Sequence, residues 1–254
     1  MATKPPSKPT TQMNSYDAEL AAFAKAGAAI ETPASNFIST RGGRLSYQGN
    51  EIPGNKMNVV VIASMMENHY YTDRFDPDNL SSPKCFAFSE DGQGMAPHEL
   101  SAEKQAETCA ACPHNQFGSA DVGRGKACKN IRKLGIITED GLEDVGAAEL
   151  AVLKVPVTSV KEWGSYVNLL NSNFSLPAFA VLTEISCVPH PKFQFQLKFK
   201  MLGKITDNED IKALIARRPA VLAELSRPYQ PPSEEDQAPA PQRKGPAAKP
   251  GRKY

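Results

Sequence analysis

The pattern of apolar and polar positions along this chain is mainly that of β-strands. Lys192 to Lys200 alternates strictly, with Phe193, Phe195, Leu197 and Phe199 on one side and lysine or glutamine on the other. Such alternation predicts a half-buried strand. Further runs rich in β-branched or aromatic residues predict strands at Phe37–Gln48, Lys56–Met65, Asn68–Phe75, Glu149–Val157 and Ala178–Val188.

Helical spacing is confined to shorter stretches. Ser159 and Glu162 have the spacing of a capping box, and apolar residues follow at helical intervals to Asn171. Ser101–Thr108 predicts a short helix, and an alanine-rich stretch over 14–31 predicts another. Asp207–Ser226 predicts two helical pieces, because Pro219 removes a backbone donor between them.

Composition sets the boundaries of the folded part. The chain has 254 residues, 41% of them apolar, which is enough for a sizeable core. Both ends are rich in proline and polar residues and predict disorder. The predicted organisation is a disordered arm (1–13), a helix (14–31), a β domain (37–206) with an insertion at about 76–135, C-terminal helices (207–227) and a disordered tail (228–254).

The order of these elements suggests a topology. A small Greek-key barrel of the OB kind has five strands, with a helix between the third and the fourth. The predicted helix at 159–171 precedes two strong strands and so has a similar place in the order. The expected fold class is therefore mainly β with short helices (α+β), as an OB-like barrel carrying an insertion.

Four of the five cysteines lie in that insertion. Cys85, Cys109, Cys112 and Cys128 are spaced C-x23-C-x2-C-x15-C, within loops rich in glycine, proline and polar residues. Such spacing suits a tetrahedral structural zinc site without an open position, so the expected cofactor is zinc. Ordinary buried thiols or disulfides are the alternative, and His98 or His114 could replace a ligand. Cys187 is expected to be structural.

Basic and aromatic residues supply candidates for binding nucleic acid. A cluster without an acid follows the C-x2-C pair, a neighbouring segment (NHYYTDRF) is aromatic, and one face of the Lys192–Lys200 strand is cationic. Such groups neutralise phosphates and stack on bases, although a solvated face and a strand with an aromatic core side are the alternatives. The candidate contacts are Arg124, Lys126, Lys129, Arg132, Lys133, Tyr70, Tyr71, Arg74, Lys192, Lys198 and Lys200.

Catalytic and membrane functions find little support in the sequence. A zinc deaminase would need H-x-E, whereas His98 and Glu99 are adjacent, and no P-loop or G-x-G-x-x-G motif is present. No apolar run approaches the roughly 20 residues that span a bilayer. The net charge of +1 means that any polyanion must bind a local patch. We expect a cytoplasmic protein that is not an enzyme.

The cysteine segment also resembles a known family. The runs P-K-C-F, C-A-A-C-P-H-N-Q-F-G-S and G-K-A-C-K-N resemble single-stranded DNA-binding proteins of tailed bacteriophages. Phage helix-destabilising proteins of the T4 type similarly carry a zinc subdomain inserted in an OB barrel. This resemblance implies binding without chemistry, in phage DNA replication and recombination, in the host cytoplasm and with replication or recombination proteins as possible partners.

Two functions remain open at this point. The first is a sequence-tolerant binder of single-stranded DNA, with basic residues on phosphates and aromatic residues on bases. The second is a zinc-containing adaptor or regulator that binds a polymerase or transcription complex rather than DNA. The sequence leaves the oligomeric state open.

Overall fold

The computed structural model describes Leu20 and residues 36–72 and 81–229. The expected N-terminal arm, the expected helix apart from Leu20, and nearly all of the expected C-terminal tail lie outside these residues. The chain divides into two compact units, residues 1–35 and residues 36–254. In the described part of the chain, no helix is long and apolar enough to cross a membrane.

The second unit is built on one mixed sheet of seven strands, with a two-stranded hairpin beside it. The strands are β1 (Phe37–Ile38), β2 (Ser46–Tyr47), β3 (Asn50–Glu51), β4 (Lys56–Tyr70), β5 (Cys85–Ser89), β6 (Lys129–Thr138), β7 (Ala151–Val155), β8 (Val181–His190) and β9 (Gln194–Lys204). The helices are α1 (Val157–Phe174) and α2 (Asn208–Leu225). The coarse expectation of a mainly β fold with helices, of the α+β class, is confirmed.

The long strand β4 organises the sheet. The order across the sheet is β1-β7-β6-β4-β8-β9, and β5 also pairs with β4. β8 pairs with residues at the start of β4, β5 pairs with residues at its end, and β6 runs along nearly its whole other edge. All these pairings are antiparallel except that of β1 with β7. The loop between β5 and β6 therefore begins and ends at the same end of β4.

A hydrophobic core covers each face of the sheet. Val59 and Val61 belong to the core beneath α1, whereas Val60 and Ile62 belong to the core beneath α2. This alternation is what a strand buried on both faces requires. At Gly135 a Cβ atom would lie 2.3 Å from Val221 Cγ1, so α2 packs closely because this position has no side chain.

Several expectations about single elements were wrong. One strand of 15 residues covers the predicted strand Lys56–Met65 and only the first three residues of the predicted strand Asn68–Phe75. Ser101–Thr108 contains no helix, and β5 and β6 were not predicted. At the start of α1, Ser159 Oγ accepts a hydrogen bond from Leu197 N (2.9 Å) instead of capping the helix, and Glu162 pairs with Lys198. The predicted capping box is therefore replaced by contacts to β9.

The C-terminal helix continues through its proline. α2 is a single helix in which Pro219 is exposed, although two pieces were predicted. Leu214 and Val221, on either side of the proline, are buried in the same core, and the Arg218 guanidinium donates to the Ile62 carbonyl (3.2 Å). Packing of both halves on one sheet offsets the lost backbone hydrogen bond, which faces solvent.

Candidate nucleic-acid interface

The four cysteines of the insertion come together at the end of β4. Cys85 begins β5 and Cys128 directly precedes β6, so the pairing of both strands with β4 brings them to one place. Together with Cys109 and Cys112 they line a pocket that also includes Asn68 and Tyr70. All four are buried free thiols, and none forms a disulfide.

Backbone contacts hold the loops around this pocket. Cys109 N donates to Met95 O (2.8 Å), Cys128 N donates to His114 O (2.8 Å), and Asn115 Nδ2 donates to Cys109 O (2.7 Å). The rings of Tyr70 and His114 stack with their centroids 4.2 Å apart. Loops with little secondary structure are thus fixed to the end of the sheet.

Burial favours the neutral form of two of these thiols, Cys109 and Cys128. Desolvation, reinforced by the neighbouring thiols, raises the pKa of Cys128 to about 12 and also raises the pKa of Cys109. The charged thiolate is the form that binds metals, and apolar surroundings disfavour it.

The prediction of a metal-binding protein needs correction. Among residues 36–72 and 81–229, no group of three or more His, Cys, Asp or Glu side chains is arranged so that it could hold a metal ion. The four cysteines line one pocket, but they form a cluster of buried thiols instead of the expected set of zinc ligands. The prediction that zinc is the cofactor is a separate one, and no contact in the described residues tests it. Elemental analysis of the purified protein would test it.

The exposed cations of the insertion form a surface that we call the basic rim: Arg124, Lys126 and Lys129. Arg124 and Lys129 are exposed, and Lys126 is half-buried. Lys129 Nζ donates to the Lys126 carbonyl (3.0 Å), and Lys126 Nζ donates to Asn115 Oδ1 (3.2 Å). The described structure gives these three side chains no ion pair, so their charges are available to a ligand.

The register of β4 with β6 places an aromatic side chain beside the basic rim. Lys129 is the partner of His69 across the two strands, so their side chains are neighbours on one face. The His69 ring contacts the Tyr71 ring edge to face, with centroids 5.6 Å apart. Tyr71 is 38% exposed. An accessible aromatic ring therefore contacts the strand partner of one cation of the basic rim.

The two neighbouring tyrosines have different environments. Successive side chains of a strand point to opposite faces, and Tyr70 lies over the cysteine pocket, stacked on His114. Tyr71 lies on the opposite face with His69. They were predicted together as base contacts, but the Tyr70 ring is stacked on His114, whereas the Tyr71 ring contacts His69, the strand partner of Lys129.

Two other predicted contacts are engaged within the protein. Lys133 is 6% exposed, and its Nζ lies 2.7 Å from Glu67 Oε2. Arg132 is half-buried, desolvation lowers its pKa, and its Nη1 donates to the Ile131 carbonyl (3.4 Å). Lys133, which was predicted as a phosphate contact, is therefore buried and already neutralised by a carboxylate on β4.

Glu67 is the centre of what we call the buried charge cluster: Glu67, His69, Lys133, Lys154 and Tyr229. Glu67 has no exposed surface, and its Oε1 lies 2.8 Å from His69 Nδ1 and accepts a hydrogen bond from the Tyr229 hydroxyl. Burial alone would raise the pKa of Glu67, but the hydrogen bond with His69 and the charges of Lys133 and Lys154 outweigh it and lower the pKa to about 2. The carboxylate therefore stays ionised at neutral pH.

Aromatic rings enclose this cluster. Lys133 Nζ lies 4.4 Å from the centroid of the Phe88 ring, and Lys154 Nζ lies 5.2 Å from that of Tyr229 and 5.5 Å from that of Phe37. Such cation–π contacts are strongest when water is excluded. The cluster has the features of a structural charge network, in which one carboxylate and three aromatic rings surround two lysines.

The lysines of β9 belong to a different part of the sheet. Lys198 and Lys200 pair with residues of β8. β8 in turn pairs with the start of β4, over Lys56–Val59. Lys129 pairs with His69, near the other end of β4. Ten residues of strand separate Val59 from His69, or roughly 33 Å at about 3.3 Å per residue. Lys198 forms an ion pair with Glu162 (2.9 Å), while Lys192 and Lys200 are exposed. Arg74, the remaining candidate, lies outside the described residues.

Sequence reasoning missed one exposed residue beside the basic rim. Phe117 is 83% exposed, and Lys126 Nζ lies 5.1 Å from the centroid of its ring. An aromatic residue in a loop of glycines and small polar residues, close to several cations, was the signal available in the sequence.

Comparisons with known proteins assign no family to this site. No family model, no curated protein and no solved structure matches the chain.

Proposed function

We propose that this protein binds single-stranded DNA without strong sequence preference, at the basic rim and Tyr71. The observation that carries the proposal is the pairing of Lys129 with His69, whose ring contacts Tyr71. Proteins that bind single strands combine cations along the phosphate backbone with aromatic rings on which bases stack. The rim and Tyr71 offer both, and both are accessible.

The strand pairings support an OB-like interpretation of the fold. β4, β6 and β7 are consecutive antiparallel neighbours, α1 follows, β8 returns to β4 and β9 joins β8. This is the pairing order of a five-stranded OB barrel. In the described part of the chain no pairing joins β7 to β9, so such a barrel would be open.

In an OB fold of this kind, the basic rim would lie on the surface that binds single strands. OB folds bind single strands on the face of their second and third strands and with the loop between the first and second. Here β6 would be the second strand and the cysteine segment would belong to that loop. Lys129 would then lie on the binding face, with Arg124 and Lys126 on the loop beside it.

The biological setting is inferred from the resemblance to phage proteins. Single-stranded DNA is an intermediate of replication and recombination, and a protein that coats it needs binding without catalysis. The proposal is therefore a non-enzymatic role in phage DNA metabolism, in the host cytoplasm. Direct partners among replication or recombination proteins would be additional to the DNA itself.

Salt dependence tests this proposal most directly. Fluorescence anisotropy of labelled oligo-dT, at several salt concentrations, gives the affinity and its log-log slope. Each phosphate neutralised on a single strand contributes a slope of about −0.7, so changing Arg124, Lys126 and Lys129 to alanine should reduce the slope by about two units. Binding of the matched duplex should be weaker.

A matched control separates location from net charge. Changing Lys56, Lys204 and Lys212 to alanine removes the same charge at exposed positions outside the rim: Lys56 begins β4 at the end opposite His69, Lys204 ends β9, and Lys212 lies on α2. This variant should keep nearly the wild-type slope. Equal losses from both variants, or no affinity of the wild type for any oligonucleotide, would reject the proposal, and the second result would favour an adaptor that binds protein.

A further inference from the structure

Phe117 is the most exposed large aromatic residue of the described chain. It is 83% exposed, whereas Trp163 and Tyr166 are buried and Tyr71 is 38% exposed. Large aromatic rings contribute most when they are covered, so a ring held in water is available to a ligand.

The loop that carries Phe117 is closed by its own hydrogen bonds. Gly118 N donates to Gly125 O (2.9 Å) and Ala120 N donates to the same carbonyl (3.2 Å). Ser119 Oγ donates to Gln116 O (2.6 Å) and accepts from Ala127 N (3.0 Å). Gly118, with φ of +88°, adopts a conformation that side chains disfavour. The backbone on either side of Phe117 is therefore held in place before any ligand binds.

The surroundings of the ring favour an anionic ligand with a planar group. Lys126 Nζ lies over the ring, Lys129 contacts the Lys126 carbonyl, and the Arg124 carbonyl accepts from Gly118 N (3.2 Å). The same loop contains a single acidic residue, Asp121, compared with these three cations. A nucleotide matches both features, because its base has a π-face and its phosphate a negative charge.

The same contacts connect Phe117 to the proposed DNA-binding site. They run from Phe117 to Lys126 and Lys129, then across the sheet from Lys129 to His69, and from His69 to Tyr71. Cations thus lie between two accessible aromatic rings. A short single strand could place phosphates on the cations and one base on each ring.

We infer that Phe117 is a base-stacking residue for single-stranded DNA, at the opposite end of the basic rim from Tyr71. This inference rests on the proposed function and adds to it a second stacking position, on the loop that carries the cysteines. It also commits the exposed ring to a nucleobase rather than to an apolar side chain of a partner protein.

Affinity measurements with a matched substitution test this inference. Phe117→Ala should weaken oligo-dT binding by about 5- to 150-fold, the equivalent of one lost stacked base, and leave the salt slope nearly unchanged. Phe117→Tyr should retain most of the affinity. Val122→Ala removes another side chain that is 83% exposed in the same loop but cannot stack, and it should have little effect.

An oligomer without bases isolates stacking from charge. On an abasic sugar-phosphate strand of equal length, wild type and Phe117→Ala should bind equally, because no base is left to cover the ring. A loss of affinity that persists on the abasic strand would overturn the inference, since Phe117 would then act through the loop or its cations.

A tryptophan at this position reports the contact directly. Trp163, the only tryptophan of the chain, is 4% exposed against Tyr166 and Phe199, so its emission should not respond to DNA. Phe117→Trp should be quenched on saturation with oligo-dT, and Ile215→Trp, exposed on α2, should not. If oligo-dT binds but Phe117→Trp is unresponsive and Phe117→Ala is neutral, the inference fails while the proposed function stands; if wild type binds no oligonucleotide, the proposed function fails.

Discussion

Lys129 and Lys133 lie four residues apart on the same face of β6, yet their environments are opposite. Lys129 is exposed in the basic rim, next to accessible aromatic rings and without an ion pair in the described structure. Lys133 is buried, paired with Glu67 and covered by the rings of Phe88 and Tyr229. The side chains that surround each lysine, rather than the local sequence, decide whether it is buried and neutralised or exposed and without an ion pair in the described structure.

The largest effect should come from breaking the buried charge pair. Glu67→Gln leaves Lys133 buried without its counter-charge, and Lys133→Met leaves Glu67 without its nearest cation. Each variant should lower the free energy of unfolding by about 3–5 kcal/mol, measured by urea denaturation. The double variant should lose less unfolding free energy than the two single variants added together. It removes both members of the pair, so neither is left as a buried charge without its partner.

An exposed pair provides the control for these variants. Glu103 lies 3.3 Å from Lys84, and both side chains are largely accessible. Glu103→Gln should change the unfolding free energy by less than about 1 kcal/mol. Equal effects of Glu67→Gln and Glu103→Gln would show that the buried charge cluster contributes no more than a surface ion pair.

The second largest effect is expected on stability at acidic pH. The pKa of Glu67 is lowered from 4.5 to about 2 in the folded protein, so its contribution is fully present above pH 4.5 and is lost as the pH falls toward 2. The stability difference between wild type and Glu67→Gln should therefore shrink between pH 4.5 and 2. Chemical denaturation across this range measures it, and a difference that does not change with pH would contradict the pKa direction.

A smaller pair of effects should separate the two lysines by function. Lys129→Ala should leave stability within about 0.5 kcal/mol and reduce the salt slope of oligo-dT binding by about 0.7. Lys133→Met, measured where it is still folded, should leave that slope unchanged. If Lys133→Met reduced the slope instead, Lys133 would reach the DNA and the contrast between the two lysines would fail.

The sequence predicted the elements whose patterns are local. The positions of α1, β8 and β9 follow from helical spacing, a run rich in β-branched residues and strict alternation respectively, and the structure has all three. β6 was missed because Lys129, Arg132 and Lys133 interrupt its apolar pattern. The residue that compensates Lys133 is Glu67, on another strand, and no pattern in either segment reveals that pairing.

The candidate site was predictable to a similar extent. Charge and glycine content identified Arg124, Lys126 and Lys129, all of which the structure leaves accessible at least in part. Proximity in sequence also grouped Tyr70 with Tyr71, but the alternation of a strand separates them. Phe117 was missed because exposure depends on how the loop closes, which the hydrogen bonds of Gly118 and Ser119 determine.

The smallest effect is expected from one hydroxyl, and it extends the comparison to tyrosines. The Tyr229 hydroxyl donates to Glu67 and accepts from Lys154 Nζ (3.3 Å), while the ring packs on Phe86 with centroids 5.2 Å apart. Tyr229→Phe keeps the ring and should cost about 1 kcal/mol of stability.

Tyr71→Ala should instead weaken oligo-dT binding by about 5- to 150-fold with little change in stability.

Alkaline pH provides the check on Tyr229. Burial, followed by the charge of Glu67, raises the pKa of Tyr229 above its ordinary value of 10, so the stability it contributes is complete below pH 10 and declines as the pH rises further. Tyr229→Phe lacks this group, and its disadvantage relative to wild type should diminish above pH 10. A disadvantage that grew above pH 10 would mean that the hydroxyl ionises readily in the fold, and Tyr229 would then belong with the accessible side chains of the basic rim rather than with the buried charge cluster.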